Sequence, residues 1–249
     1  MKFDKIKGIL KGIPHTPPED GLILYNLVLE NKLQNIIELG FQHGVSTLYM
    51  AAAMDEMGSG LITTIDNQTA KEAQPTIIEL AIKSGLSKYV NPIFANSSYN
   101  WELMKLIEQN TVGNNCNLIY DFCFIDGAHN WETDGFAFFL VDKLLKKDSF
   151  VLFDDLYWTY SESKGLRDTD FVKNMADDEK NTPQVELILK YLVAQHSNYD
   201  IVEIRDRWAW VKKKGLIEKV SIDNLYLKQS ISNDFKIITK KLFRKITKK

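Results

Sequence analysis

The stretch NIIELGFQHGVSTLYMAAAM, residues 35–54, predicts the fold of this chain. An apolar run leads to Glu38, glycines follow at Gly40 and Gly44, and an apolar helical pattern comes next. A strand, a glycine turn and a helix in this order place backbone N–H groups beside a ligand. The ligand of such a turn is a phosphate, a dinucleotide or another molecule that carries a ribose.

The same alternation of apolar strand and helical pattern repeats along the chain. After the first strand, further strands are predicted at 61–66, 90–96, 118–127 and 149–155, and two strands joined by a tight turn at 199–215. Five repeats predict an α/β fold, a doubly wound, Rossmann-like and mostly parallel sheet with helices on both faces. We expect about seven strands, with an antiparallel hairpin at one edge.

Local sequence patterns predict the structure of further segments in the domain, which is predicted to span residues 1–211. The first 15 residues are predicted as a short lead-in, and a helix is predicted over 15–31 with Thr16 as its N-cap and Glu19 completing a capping box. The polar stretch 156–183 is too long for a plain connector, so it is predicted to be a lid or an insertion.

Composition suits a soluble globular domain. The chain has 249 residues, 45% of them hydrophobic and 26% charged, and only two cysteines. No apolar run approaches the roughly 20 residues of a membrane span, and the first residues lack the features of a secretory signal. We therefore expect a cytoplasmic protein without a disulfide framework.

The net charge of −2 hides a basic tail on an acidic body. Residues 212–249 hold 12 Lys/Arg and 3 Asp/Glu, whereas the rest of the chain holds 19 and 30. Within 233–249, apolar residues follow one helical stripe opposite the basic ones. The stripe fits a helix docked on its own domain or on a second copy, a peripheral membrane contact, or, least well, nucleic acid.

Polar residues close the predicted strands, and parallel strands present their carboxyl ends at one edge, where such sheets bind ligands. The residues at these strand ends are Glu38, Gly40, Asp66, Asn96, Asp126, Asp154 and Asp155. A P-loop is excluded because its GxxxxGK[ST] pattern is absent. The spacing G-x-x-x-G disfavours a dinucleotide. Asp66 is placed to bind a ribose and Glu38 to bind a cationic amino-acid group, and S-adenosylmethionine carries both.

Three motifs in order resemble one enzyme family. The segment IELGFQHGVST (37–47) is similar to the E-x-G-x-x-x-G-x-S-T signature of class I S-adenosylmethionine-dependent methyltransferases. FCFIDGAHNWETDGFAFFLVDKLLKKDSFVLFDDLYW (122–158) resembles the DG-x-H…DD block of the subfamily related to catechol- and sugar-type O-methyltransferases. PPEDGLILYNLV (17–28) resembles the helix that often precedes them.

The resemblance implies a cofactor site and an activity. S-adenosylmethionine would be bound by Glu38, Gly40, Gly44, Ser46, Thr47, Asp66, Asn96 and Asp126. Asn96 departs from the family pattern, which has an acidic residue there. The implied activity is methyl transfer to an oxygen of a small molecule or a sugar. A non-catalytic, membrane-associated scaffold and a homo-oligomer are further hypotheses.

The acceptor hydroxyl must lose its proton, and we expect a divalent metal to assist. Asp126, Asp154 and Asp155 offer oxygen ligands that suit Mg²⁺ or Mn²⁺, and the resemblance places a metal at these strand ends. Alternatively, His129 acts as the general base, since imidazole accepts a proton near neutral pH. We expect Asp126 to act together with His129 as a catalytic residue. Asp121 is expected to be structural, and Asp134 to lie on a solvated helix face.

Overall fold

The structure is a computed structural model that describes residues 1–214. The sequence predictions for the basic tail beyond residue 214, including its amphipathic stripe, lie outside the described residues. Among the described helices, none combines the length and apolarity needed to cross a membrane.

Seven strands form one sheet in the order β3-β2-β1-β6-β7-β9-β8. The first five in this order run parallel to their neighbours, and β9 is antiparallel to both β7 and β8. The strands of this sheet are β1 (Asn35–Leu39), β2 (Leu61–Asn67), β3 (Val90–Ala95), β6 (Tyr120–Ile125), β7 (Leu145–Phe153), β8 (Tyr199–Arg205) and β9 (Trp208–Lys213). A separate two-stranded hairpin consists of β4 (Thr111–Val112) and β5 (Asn115–Cys116). The predicted doubly wound sheet with a terminal hairpin is confirmed.

Helices connect the strands. They are α1 (Phe3–Ile9), α2 (Pro18–Asn31), α3 (Val45–Met57), α4 (Ile77–Ser84), α5 (Tyr99–Gln109), α6 (Trp131–Asp142), α7 (Asp170–Lys173), α8 (Asp177–Asn181) and α9 (Gln184–Ile188), the last continuing as a π-helical turn, Leu189–Val193. The predicted insertion 156–183 contains α7 and α8.

Both faces of the sheet are covered, which explains why its central strands are mostly apolar. On one face, Ile37 and Leu39 of β1 join a buried cluster with Leu103, Phe138 and Ile188 from α5, α6 and α9. On the other side of the sheet, α2 packs on α3, and α1 packs on both.

The structure corrects two local predictions near the N-terminus. Helix α2 begins at Pro18 with Pro17 as its N-cap and no side-chain cap bond, so the predicted capping box at Thr16 is wrong. Such a box does form at Thr76 and Glu79, where α4 begins. The lead-in contains a helix, α1, that the sequence pattern did not indicate.

Candidate active site

The sheet reverses its winding direction between β1 and β6, and a polar cleft of about 260 Å³ opens there. Such a switch point is where doubly wound sheets bind ligands. The cleft is lined by the glycine turn after β1 and by the residues that end β2, β6 and β7, namely Gly40, Phe41, Gln42, His43, Asp66, Asp126, His129 and Asp155, together with Ser46, His15 and Arg207. Most of the predicted site residues therefore meet in one place.

The two glycines of the turn are required by contacts inside the protein. Gly40 has φ +87°, and a Cβ there would lie 1.9 Å from the backbone oxygen of Asp126. Gly44 has φ +82°, and its Cβ would lie 2.4 Å from the Ile77 side chain on α4. A side chain at either position would clash and strain the backbone. Gly40 lines the cleft, whereas Gly44 lies at the N-cap of α3 and turns the chain into it.

Glu38 lies beneath the turn instead of in the wall of the cleft. Its side chain is 0% exposed, and it accepts hydrogen bonds from the hydroxyls of Ser46 (2.6 Å), Thr64 (2.6 Å) and Thr47. Burial raises the pKa of the Glu38 carboxyl, and the three hydroxyls oppose that rise. Of the predicted cofactor residues on this turn, Ser46 reaches the cleft, whereas Glu38 and Thr47 support the turn from below.

Asp66 holds the turn from the end of β2. One carboxylate oxygen accepts the N–H groups of Phe41 (2.8 Å) and Gln42 (2.7 Å), and the other accepts that of Asn67 (2.7 Å). A carboxylate has about four lone-pair sites, so roughly one remains for a ligand. Asn96 is exposed, does not line the cleft, and accepts a bond from the Gln68 side chain (3.0 Å).

A histidine lies between two acids at the far side of the cleft. His129 Nε2 is 3.9 Å from Asp126 Oδ1 and 3.7 Å from Asp155 Oδ2. Its ring packs beside Trp158, with 5.3 Å between the ring centroids. Burial and the charges of Asp154 and Asp155 raise the pKa of the Asp126 carboxyl well above its usual range. This cluster can take up and hold a proton.

Two of the three predicted metal ligands, Asp126 and Asp155, lie together in the cleft, and His129 is beside them in place of Asp154. Within residues 1–214, the acids and histidines whose ligand atoms lie within 4.8 Å of one another are Asp126, His129 and Asp155. Asp154 is only 3% exposed and is not in that group; its carboxylate accepts the backbone N–H of Asp155 (2.6 Å). Burial raises the pKa of Asp154 to about 7, although Arg207 opposes the rise.

Arg207, in the turn between β8 and β9, is the functional residue that the sequence analysis missed. Its Nη1 lies 3.2 Å from Asp154 Oδ1 and 3.3 Å from Asp155 Oδ1, and its Nη2 lies 2.7 Å from Asp20 Oδ2. Burial works against its charge, but the three carboxylates outweigh it and raise the Arg207 pKa. A hairpin antiparallel to β7 must turn at the carboxyl edge of the sheet, and this was the signal that could have placed Arg207 here.

Two further residues differ from their predicted settings. Asp134 is 1% exposed, not solvated: it accepts bonds from the Tyr99 hydroxyl and from the backbone N–H of Ala128 (3.4 Å). His15 lines the cleft with its ring stacked on His43, 5.6 Å away, and burial and then His43 lower its pKa.

The sheet order and the position of the cleft are those of a Rossmann-like α/β fold. Residues 37–156 match a family model described as a methyltransferase domain. The chain therefore carries a methyltransferase domain of the S-adenosylmethionine-dependent type, similar to those of class I. A comparison with curated protein sequences found no match.

Several solved structures share the fold at low sequence identity. The O-methyltransferase TomG from Streptomyces achromogenes, in complex with S-adenosylmethionine, has a TM-score of 0.61 at 16% identity, over 86% of this chain and 89% of that one. An O-methyltransferase from Bacillus cereus with S-adenosylhomocysteine has a TM-score of 0.60 at 18% identity, over 86% and 92%. The S-adenosylhomocysteine-bound methyltransferase PaMTH1 from Podospora anserina gives 0.57 at 16%, over 85% and 87%.

Proposed function

We propose that this methyltransferase acts on an oxygen of a small molecule or a sugar, and that His129 removes the acceptor proton. The observation that carries the proposal is the position of His129 between Asp126 and Asp155, in the same cleft as the glycine turn. The two structural neighbours described as O-methyltransferases support transfer to oxygen.

The residues of the cleft fit the methyl donor. Ser46 and the N-terminus of α3 face the cleft, and a helix N-terminus favours a carboxylate such as that of the donor's amino-acid end. The remaining acceptor site of Asp66 fits one ribose hydroxyl. Bound S-adenosylmethionine supplies a sulfonium that is a good leaving group for an in-line displacement.

The chain's own residues supply orientation and proton transfer. His129 Nε2 would accept the proton of the acceptor hydroxyl as that oxygen is methylated. The carboxylates of Asp126 and Asp155 stabilise the resulting imidazolium, and the Trp158 ring shields one side of the imidazole from water. The second product is S-adenosylhomocysteine. Holding the reactants in line contributes at most roughly 7–11 kcal/mol to lowering the barrier.

A second cavity adjoins the cleft and offers the acceptor a route to it. A more open space of about 780 Å³, lined by the segment between α1 and α2 and by Tyr49, shares His15 and Thr16 with the cleft. The smaller cleft contains His129 with Asp126 and Asp155, so we place the chemistry there and the body of the acceptor in the larger cavity.

A divalent cation held by Asp126, His129 and Asp155 is the second candidate, favoured by the 4.8 Å grouping of their ligand atoms. Such a cation would lower the pKa of the acceptor hydroxyl directly. One nitrogen ligand among oxygens suits Mn²⁺ better than Mg²⁺.

One assay separates the two candidates. The enzyme is incubated with S-adenosylmethionine and a panel of catechols, phenols and sugars; S-adenosylhomocysteine is quantified, and the methyl position is read by NMR. We expect methyl ethers, activity that survives EDTA, and a loss of about 10²–10⁴-fold in His129→Gln. His196→Gln, the same change at a histidine packed on Tyr199 away from the cleft, should retain activity.

Other outcomes would reject parts of the proposal. Activity abolished by EDTA and restored by Mn²⁺ would select the metal candidate. Methylated nitrogen or carbon in the products would refute transfer to oxygen, and a calorimetric titration without heat from S-adenosylhomocysteine would refute the cofactor site.

A further inference from the structure

We propose that Arg207 is the resident cation of this site and that it keeps a divalent metal from binding. Its guanidinium would hold the place that a metal bridging Asp154 and Asp155 would take. The inference rests on the proposed function, since it explains how a strongly acidic methyltransferase cleft operates with His129 as its base.

The first argument is geometric. A single nitrogen of Arg207, Nη1, contacts one oxygen of Asp154 at 3.2 Å and one of Asp155 at 3.3 Å. A metal bound by these two carboxylates would need the same side of the same residues, at about 2.0–2.6 Å from each oxygen. The guanidinium therefore competes with a metal for Asp154 and Asp155. Of the group Asp126, His129 and Asp155, it occupies one oxygen of Asp155, while His129 faces the other.

The second argument is that Arg207 is anchored from several directions. Its Nη2 is 2.7 Å from Asp20 on α2, and its backbone oxygen accepts the N–H of Leu156 at 2.9 Å. The guanidinium carbon lies 5.8 Å from the centroid of the Trp208 ring. The backbone bond fixes the position of the hairpin turn, and moving the guanidinium aside for a metal would break its contacts with Asp20 on α2 and with Trp208 in its own hairpin.

The third argument is charge. Four carboxylates, Asp20, Asp126, Asp154 and Asp155, lie around this end of the cleft. The guanidinium of an arginine stays charged up to a pH of about 12. Carboxylates this close either take up a proton or require a counter-charge. With Arg207 in place that requirement is met in part by the chain itself, and a divalent cation would be repelled by the guanidinium.

Direct metal binding tests the proposal without relying on activity. The full chain is titrated with Mn²⁺, and the free ion is followed by electron paramagnetic resonance, for wild type, Arg207→Gln and a control, Arg205→Gln. Arg205 belongs to the same hairpin but pairs with Glu203 at 3.1 Å. We expect wild type and the control to leave Mn²⁺ free up to about 1 mM, and Arg207→Gln to bind at least about tenfold more tightly.

Each outcome decides the question. Wild type that binds Mn²⁺ as tightly as Arg207→Gln overturns the proposal, and so does a folded Arg207→Gln that gains no affinity. If Arg207→Gln fails to fold, Asp20→Asn loosens one anchor and should raise Mn²⁺ affinity above wild type; no change would overturn the proposal. Calorimetry with S-adenosylhomocysteine on the same wild-type sample keeps a failure of the cofactor site distinguishable from a failure of this inference.

Discussion

Replacing Thr47 by Val should destabilise the protein by removing one donor from the buried Glu38 carboxylate. Thr47 and Glu38 are both 0% exposed, and Glu38 has three hydroxyl partners for its two oxygens. Leaving a buried polar group without one of its hydrogen-bond partners costs about 1–3 kcal/mol, and Val has nearly the shape of Thr, so little cavity cost is added. We expect the free energy of unfolding to fall by about 1–3 kcal/mol.

Urea unfolding followed by circular dichroism measures this change at pH 7. A double-mutant cycle with Glu38→Gln isolates the pair, because the amide has only one acceptor oxygen and cannot carry the charge. We expect an interaction energy of about 1 kcal/mol or more between the two substitutions. A Thr47→Val cost below about 0.5 kcal/mol, or purely additive substitutions, would refute the view that this hydroxyl stabilises the buried Glu38 side chain.

Two further predictions concern the base of the sheet and the glycine turn. Asp121 accepts the N–H groups of Gln34 and Asn35 (both 2.9 Å) and the Lys146 ammonium (2.6 Å); burial opposes these partners, but they lower its pKa. The stabilisation by the Asp121 carboxylate is therefore complete above the unfolded pKa of about 3.9 and is lost as pH falls from there through the lower folded pKa. Asp121→Asn should lower the free energy of unfolding by about 1–3 kcal/mol at pH 7. Urea unfolding from pH 7 to 3 should then show a smaller loss of stability on acidification for the variant than for wild type. Gly40→Ala should reduce the affinity for S-adenosylhomocysteine, measured by calorimetry, by about tenfold or more, because the methyl group would lie 1.9 Å from the backbone oxygen of Asp126. An unchanged affinity together with an unchanged free energy of unfolding would contradict the packing argument.

Strand ends were the most predictable part of the site. The apolar runs fix the strands, and parallel strands put their carboxyl ends on one edge, so Gly40, Asp66, Asp126 and Asp155 were placed together from the sequence. Asp121 was also correctly expected to be structural, since it lies near the amino end of β6, at the edge of the sheet opposite the cleft.

Contacts between distant segments were not predictable. Asp154 and Asp155 are neighbours in the chain, and the choice of which one faces His129 depends on the left-handed backbone at Asp155, φ +51°, and on Arg207. Arg207 is separated by 187 residues from Asp20, its closest ion-pair partner. Asp134 looked solvated in the helical pattern, but α6 turns it toward Tyr99 of α5.

Local periodicity and the geometry of parallel sheets were enough to predict the order of the main strands, the position of the glycine turn and the residues at the carboxyl edge. Which of those residues face the cleft, which support it from below, and the presence of a hairpin arginine beside His129 became visible only in the folded chain. Side-chain direction and ion pairing depend on packing between elements far apart in the chain, and no local pattern records that packing.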